Sequence, residues 1–166
     1  DLTFLRRTVL TELATAAGYE RFSVDEAFAV FDEVRNDVEL FPGVRAALAA
    51  LGERFTLIAL TNGNASLEKV GIDDLFHGHV NAAMAGAAKP ARRIFDVAVE
   101  LGGADAAATV HVGDHPHTDM HGAHEAGLRT VWVNRNGDEW PDEYEAPDAT
   151  VAHVSELVDL LGDGAR

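Results

Sequence analysis

The stretch Val110 to Leu128, VHVGDHPHTDMHGAHEAGL, constrains the fold more than any other part of the chain. An apolar run breaks at Gly113 and delivers Asp114 and then Asp119 where a helical pattern begins. A strand that passes its acids straight into a helix is the repeating unit of an α/β sheet. In such sheets ligands bind in the crevice outside the strand C-termini, so both carboxylates fall where chemistry is expected. Two earlier segments follow the same logic. Leu57–Ile58–Ala59–Leu60 runs into Thr61–Asn62–Gly63–Asn64, and Ala87–Ala88–Lys89–Pro90 leads into a helical segment.

Each segment also has a purely structural reading. A strand ending in Thr–Asn–Gly is often only a turn, because Asn and Gly tolerate positive φ. A Lys–Pro pair before a helix can simply place Pro in the first helical turn. Gly–Asp followed five residues later by Asp can be an N-cap aspartate plus a first-turn acid that complements the helix dipole. All three together, in this order and each at a strand or helix end, point to a built site.

The combination resembles the haloacid dehalogenase-like (HAD) hydrolase superfamily, and within it the subfamily with a small helical cap. Thr61 matches the second motif, a Ser or Thr closing a strand; Lys89 matches the third, and Gly113–Asp114 with Asp119 the fourth. Phe41–Pro42–Gly43–Val44, followed by Leu48 and Leu51, is similar to the Pro–Gly segment by which these chains return from cap to core. The resemblance covers about Pro42 to Leu161. The Thr–Asn–Gly–Asn form of the second motif looks most like the branch of flavin mononucleotide and riboflavin-precursor phosphatases.

These hydrolases begin with an apolar strand ending in Asp–x–Asp–x–Thr, and no such segment occurs here. Asp1–Leu2–Thr3 has no strand before it, and Thr3 to Ala17 has helical spacing at Leu5, Val9, Leu10 and Leu13. The expectation is a chain that starts inside the cap, with residues 1–40 as a partial helical cap and 41–166 as an incomplete α/β core. Helices are expected at Thr3–Ala17, Ser23–Arg35 (Ser23 and Glu26 in capping-box spacing), Gly43–Glu53, Ala65–Val70, Arg92–Leu101, Thr118–Ala126 and Ser155–Leu161. Strands are expected at Thr56–Leu60, Val80–Ala83, Thr109–Val112, Thr130–Val133 and Thr150–Ala152, with Asn136–Pro147 as a loop or flap. Strands alternating with helices make a Rossmann-like doubly wound parallel sheet. By resemblance, its missing central first strand would lie between Thr56–Leu60 and Thr109–Val112. Strands left with unpaired ladder groups on either side of that slot predict an unstable monomer, completed by an N-terminal segment or a partner chain.

Composition narrows the classes further. Net charge is −15, from 28 acidic and 13 basic residues, and the acids are scattered. Neither nucleic acid nor an anionic membrane would meet a basic patch on such a chain. Cysteine is absent, which rules out a disulfide framework and a thiol nucleophile. No apolar run approaches the ~18 residues that span a membrane, and no signal-peptide pattern occurs, so a cytoplasmic protein is the expectation.

What the resemblance implies is a Mg²⁺-dependent phosphomonoester hydrolase acting on a small phosphorylated metabolite through an aspartyl-phosphate, its nucleophile outside this chain. Thr61 would supply a hydroxyl and Asn62 a backbone N–H to the phosphate, and Lys89 a compact positive charge. Asp114 would bind Mg²⁺, with Asp119 placed beside it to orient Asp114 or the metal's waters. This chain alone would then be inactive. Two alternatives stand: an inactive HAD-like fragment that works by pairing through the open slot, and a 2-haloacid dehalogenase. Dehalogenases of this superfamily need no metal and usually carry Ser–Asn where this chain has Gly113–Asp114, which favours the phosphatase. A phosphoacceptor receiver domain fails on order, since its acids precede its Thr and Lys. His111, His115, His117, His121 and His124 crowd the acid segment, and His117 and His121 have the spacing of a Zn²⁺ or Ni²⁺ pair. A polar helix face beside the site accounts for them as well. Trp132 and Trp140 read as core and flap packing.

Overall fold

The computed structural model describes residues 2–63 and 65–162. Helices α1 (Leu2–Ala16), α2 (Val24–Asn36) and α3 (Val44–Gly52) precede strand β1 (Ile58–Thr61) and helix α4 (Leu67–Val70). Strand β2 (Gly78–Asn81) then leads to helices α5 (Ala82–Ala85) and α6 (Arg92–Gly102). Strand β3 (Val110–Gly113) is followed by a π-helix, Pro116–His121, that continues as α7 (Gly122–Glu125). Strands β4 (Arg129–Val133) and β5 (Ala149–Val151) and helix α8 (Leu157–Leu160) complete the order. The chain divides into two compact units, Asp1–Glu39 with Gly63–Asp73, and Leu40–Asn62 with Asp74–Arg166.

In the first unit α1 and α2 form a helical pair. The Ser23 side chain caps α2 by accepting the Glu26 N–H at 3.3 Å. Arg7 pairs with Asp25, and the Arg6 and Arg7 guanidinium groups lie over the rings of Phe31 and Phe28. Asn36, buried at the end of α2, accepts the Ser66 N–H at 2.8 Å, while Lys69 on α4 pairs with Asp32. These bonds fasten the 63–73 segment to α2. Large apolar side chains such as Phe4, Leu13, Val30 and Val34 are exposed on the pair.

The second unit is the α/β core. Strand β1 runs parallel to β2 with Leu60 opposite Val80, and β3, β4 and β5 form a separate parallel sheet with Gly113 opposite Trp132. Among the described residues no strand pairs with the free edges of β1 and β3. Apolar side chains collect in two clusters. Val80, Ile94, Phe95, Ala123, Ala126 and Leu128 make one, with Ile58 and Leu60 packed against it. Leu51, Val131, Val133, Val151 and Leu157 make the other, joined by Val110 and Val112. On β3 these alternate with His111, whose ring meets Phe95 of the first cluster edge-on. Period-two alternation therefore buries both faces of the strands beneath helices, the doubly wound arrangement.

Most expected elements occur with ends displaced by a residue or two. Three differ in kind. Strand β2 stops at Asn81, because the Asn81 side chain accepts the Met84 N–H at 2.9 Å and caps a helical turn where Val80–Ala83 was expected to stay extended. Pro90 lies in a turn ahead of α6, not in its first turn, and the Lys89–Pro90 bond is cis. Thr118–Ala126 is not one α-helix, since the His115 carbonyl accepts from both Asp119 and Met120, widening the turn into a π-helix before α7.

Candidate active site

Thr61 and Asn62 stand at the end of β1 and Asp114 just past β3, while Lys89 lies in the turn between α5 and α6 and Asp119 within the π-helix. Thr61 closes β1 opposite Asn81. Asn62 follows it and uses its side-chain amide on both backbone groups of Lys89: its Oδ1 accepts the Lys89 N–H at 2.6 Å and its Nδ2 donates to the Lys89 carbonyl at 2.9 Å. The second-motif loop thus holds the third-motif lysine by its main chain. That role for the Asn62 side chain is not legible from a Thr–Asn–Gly turn.

Lys89 then reaches across the two sheets. Its Nζ donates to the Leu60 carbonyl on β1 at 3.4 Å and to Asp119 Oδ1 at 2.5 Å. Gly122 makes this approach feasible. A Cβ there would stand 2.8 Å from Pro90 Cα and 2.9 Å from the Phe95 ring, so only glycine lets the Lys89–Pro90 turn close on the start of α7. Gly113 plays the same part on the other side, since a Cβ at this position would lie 2.5 Å from Asp119 Cβ and Cγ.

Asp119 is 4% exposed and fully engaged. Besides Lys89, its Oδ1 lies 3.2 Å from His111 Nε2, and its Oδ2 accepts the His115 backbone N–H at 3.1 Å. Burial by itself would raise the carboxyl; the hydrogen bonds from His111 and Lys89, with the lysine's charge, outweigh it and hold Asp119 well below the usual carboxylate range. His111, 9% exposed, belongs to this cluster. The signal available in the sequence was a histidine at an inward position of a buried strand.

Asp114 contrasts with its neighbour. Its side chain is exposed and no described residue engages its carboxylate, while its backbone carbonyl accepts the Trp132 indole N–H at 2.9 Å. The turn is capped not by Asp114, as the structural reading of Gly–Asp supposed, but by His115, whose Nδ1 accepts the Thr118 N–H at 3.2 Å.

The donor set decides which acid suits a cation. Asp114 offers free, hard carboxylate oxygens of the kind Mg²⁺ takes one or two of, while Asp119 has its oxygens committed. Among the described residues no three His, Asp or Glu side chains converge to form a complete metal cage. The remaining histidines turn to the flap. His117 and His121 stack at 5.6 Å and flank the Tyr144 ring, and His124 Nε2 lies 2.9 Å from Glu145. Trp132 and Trp140 pack edge to face at 5.0 Å.

A doubly wound parallel core with a lysine–carboxylate pair and a free acid near its strand C-termini puts a candidate site outside the sheet's carboxyl edge. The HAD-hydrolase-like family matches residues 86–159. A 2-haloacid dehalogenase from Pseudomonas syringae pv. Tomato DC3000 superposes with a TM-score of 0.90 at 38% identity, over 99% of this chain and 73% of its own. The pyrimidine 5'-nucleotidase YjjG of Escherichia coli (strain K12) is 36% identical over 72% of this chain. The 5-amino-6-(5-phospho-D-ribitylamino)uracil phosphatase YigB of the same organism is 29% identical over 79%. This chain belongs to the haloacid dehalogenase-like hydrolase family. It spans 56% of the length of each of these two curated relatives.

Proposed function

We propose that the protein is a Mg²⁺-dependent phosphomonoesterase whose nucleophilic carboxylate is carried by a segment outside this chain. The observation that carries this reading is the division of labour between two acids five residues apart: Asp119 buried and committed to Lys89, Asp114 exposed with free oxygens. Asp114 would hold Mg²⁺, which when bound supplies charge to the phosphoryl oxygens. Asp119 acts indirectly, fixing Lys89 and the His115 N–H. Lys89 meets the phosphate and favours the ionised nucleophile, which attacks phosphorus and breaks the ester P–O bond, so that the substrate's alcohol leaves with a proton taken from water and an aspartyl-phosphate remains; water then cleaves this to inorganic phosphate and the free carboxylate. Thr61 and the Asn62 N–H are donors to the same phosphoryl group.

The free edges of β1 and β3 are the place for the strand bearing that nucleophile, supplied by an earlier part of the same polypeptide or by a partner chain. Residues 1–40 serve as part of a helical cap. The substrate is a small phosphorylated metabolite; the similarity to YigB favours a ribityl or flavin-type phosphate. The likeness to a 2-haloacid dehalogenase favours a second reading, halide displacement without metal.

One experiment separates them. The polypeptide carrying this chain and a nucleophile strand is assayed for phosphate release from p-nitrophenyl phosphate with and without Mg²⁺, and for halide release from 2-chloropropionate. Phosphate release that requires Mg²⁺ and is abolished in Asp114→Asn supports the phosphatase; metal-independent halide release overturns it. Lys89→Ala is expected to lower turnover by about 10²-fold or more, the scale of losing one preorganised charge partner of the transition state. The 166-residue chain by itself is expected to release no phosphate.

A further inference from the structure

We propose that Trp132 is a positioning residue for Asp114, held in that role by Trp140 of the flap. This rests on the phosphatase reading, in which Asp114 is the direct Mg²⁺ ligand. Trp132 stands opposite Gly113 in the parallel register, abreast of the point where β3 ends. Its indole, in a residue only 5% exposed, donates to the Asp114 carbonyl at 2.9 Å.

That carbonyl and the His115 N–H belong to one planar peptide unit. The His115 N–H donates to Asp119 Oδ2 at 3.1 Å. The unit is therefore pinned from both sides, by an indole donor at its oxygen and a carboxylate acceptor at its nitrogen. A peptide plane so fixed sets the Cα–Cβ direction of Asp114, whose own carboxylate is engaged by no described residue. Releasing either end frees the plane to rotate and leaves Asp114 without an aim.

The flap stabilises the donor. Trp140 packs edge-on against Trp132 with ring centroids 5.0 Å apart, and its own indole N–H donates to the Tyr144 carbonyl at 3.0 Å. The Tyr144 ring rests against His117 and His121 of the π-helix that carries Asp119. The same flap thus touches both the indole that holds the Asp114 carbonyl and the helix that carries Asp119.

The test removes one N–H and little else. Benzothienylalanine, which replaces the indole N–H by sulfur at nearly the same shape, is placed at position 132 by site-specific incorporation in the polypeptide assayed above, alongside Trp132→Phe and Asp114→Asn. Binding of Mn²⁺ alone is read from the loss of its free electron-resonance signal, together with melting temperature, kcat and KM. The expected result is a loss of about 10-fold in Mn²⁺ affinity, the scale of removing a partner that orients a metal ligand. With it kcat falls at limiting Mg²⁺, while KM and the melting temperature stay near native. Native Mn²⁺ affinity and kcat in the benzothienylalanine protein, with both abolished in Asp114→Asn, would overturn this inference and leave the phosphatase reading standing. Native affinity and turnover in Asp114→Asn would instead overturn the reading, and the inference with it. Trp132→Phe that fails to fold is decided by the isosteric variant.

Discussion

Asp119 accepts hydrogen bonds from Lys89, His111 and the His115 N–H while almost entirely out of water. Removing its charge leaves Lys89, itself 12% exposed at the side chain, as an uncompensated buried cation. Asp119→Asn is therefore expected to cost about 3–5 kcal/mol in urea unfolding at neutral pH. The sign of the pH dependence follows from the direction of its shift. A carboxylate depressed in the folded state contributes stability above its unfolded pKa of about 3.9, and that contribution is lost as pH falls below it toward the lower folded value. Urea midpoints of the native protein should drop on acidification below about pH 4, where those of Asp119→Asn should change less; parallel curves would remove Asp119 from the acid transition. Gly113→Ala tests the close approach at 2.5 Å, and should lower stability by about 1–3 kcal/mol by displacing Asp119. At this scale the residue types of the candidate site were legible in the sequence, and the structure puts Thr61 at the end of β1, Asp114 just past β3, Asp119 in the π-helix that follows and Lys89 in the turn before α6. Their partners were not, because His111, the Asn62 side chain and Trp132 come from positions whose neighbours are fixed only by packing.

The elements explain how residues far apart in the chain meet within hydrogen-bonding distance. The Lys89–Pro90 turn packs on Gly122 so closely that Gly122→Ala must move backbone, with Pro90 Cα 2.8 Å from the added carbon. The expected outcome is a loss of about 1–3 kcal/mol by thermal unfolding, because the obstruction is main chain and cannot rotate away. An Ala variant as stable as native would show that the turn yields. The wide π-turn at Pro116–His121 was invisible to periodicity. His117 and His121 have ordinary i, i+4 spacing, and nothing in that spacing announces that the His115 carbonyl serves two N–H groups. Strand β2 likewise ended early because one side chain, Asn81, competed for the backbone. Local patterning identified which segments are helical or extended; it did not identify where a side-chain cap or a shared carbonyl redirects them.

At the scale of the molecule, two parallel sheets each keep an edge, at β1 and at β3, that no described strand occupies. Backbone groups on such edges gain stability when paired, so a polypeptide that adds an apolar strand ending in Asp before this chain should melt at a higher temperature than the 166 residues alone. Equal melting temperatures would mean the added strand does not enter the slot. The doubly wound class was readable from strands alternating with helices, and the order of three short motifs identified the hydrolase family, since both are properties of residues close in sequence. The sequence alone also determined the chemistry on offer: a lysine, a hydroxyl, two acids and no thiol. Only the tertiary structure decided how that chemistry is divided. Asp114 and Asp119 are the same residue type five positions apart, yet one is buried and bound on every side while the other is exposed with its oxygens free. That difference is made by Lys89 and Trp132, which reach the acid turn from other segments of the core, and by His111 on the strand just before it, and burial and partners of that kind are set by packing between elements rather than by the pattern along any one of them.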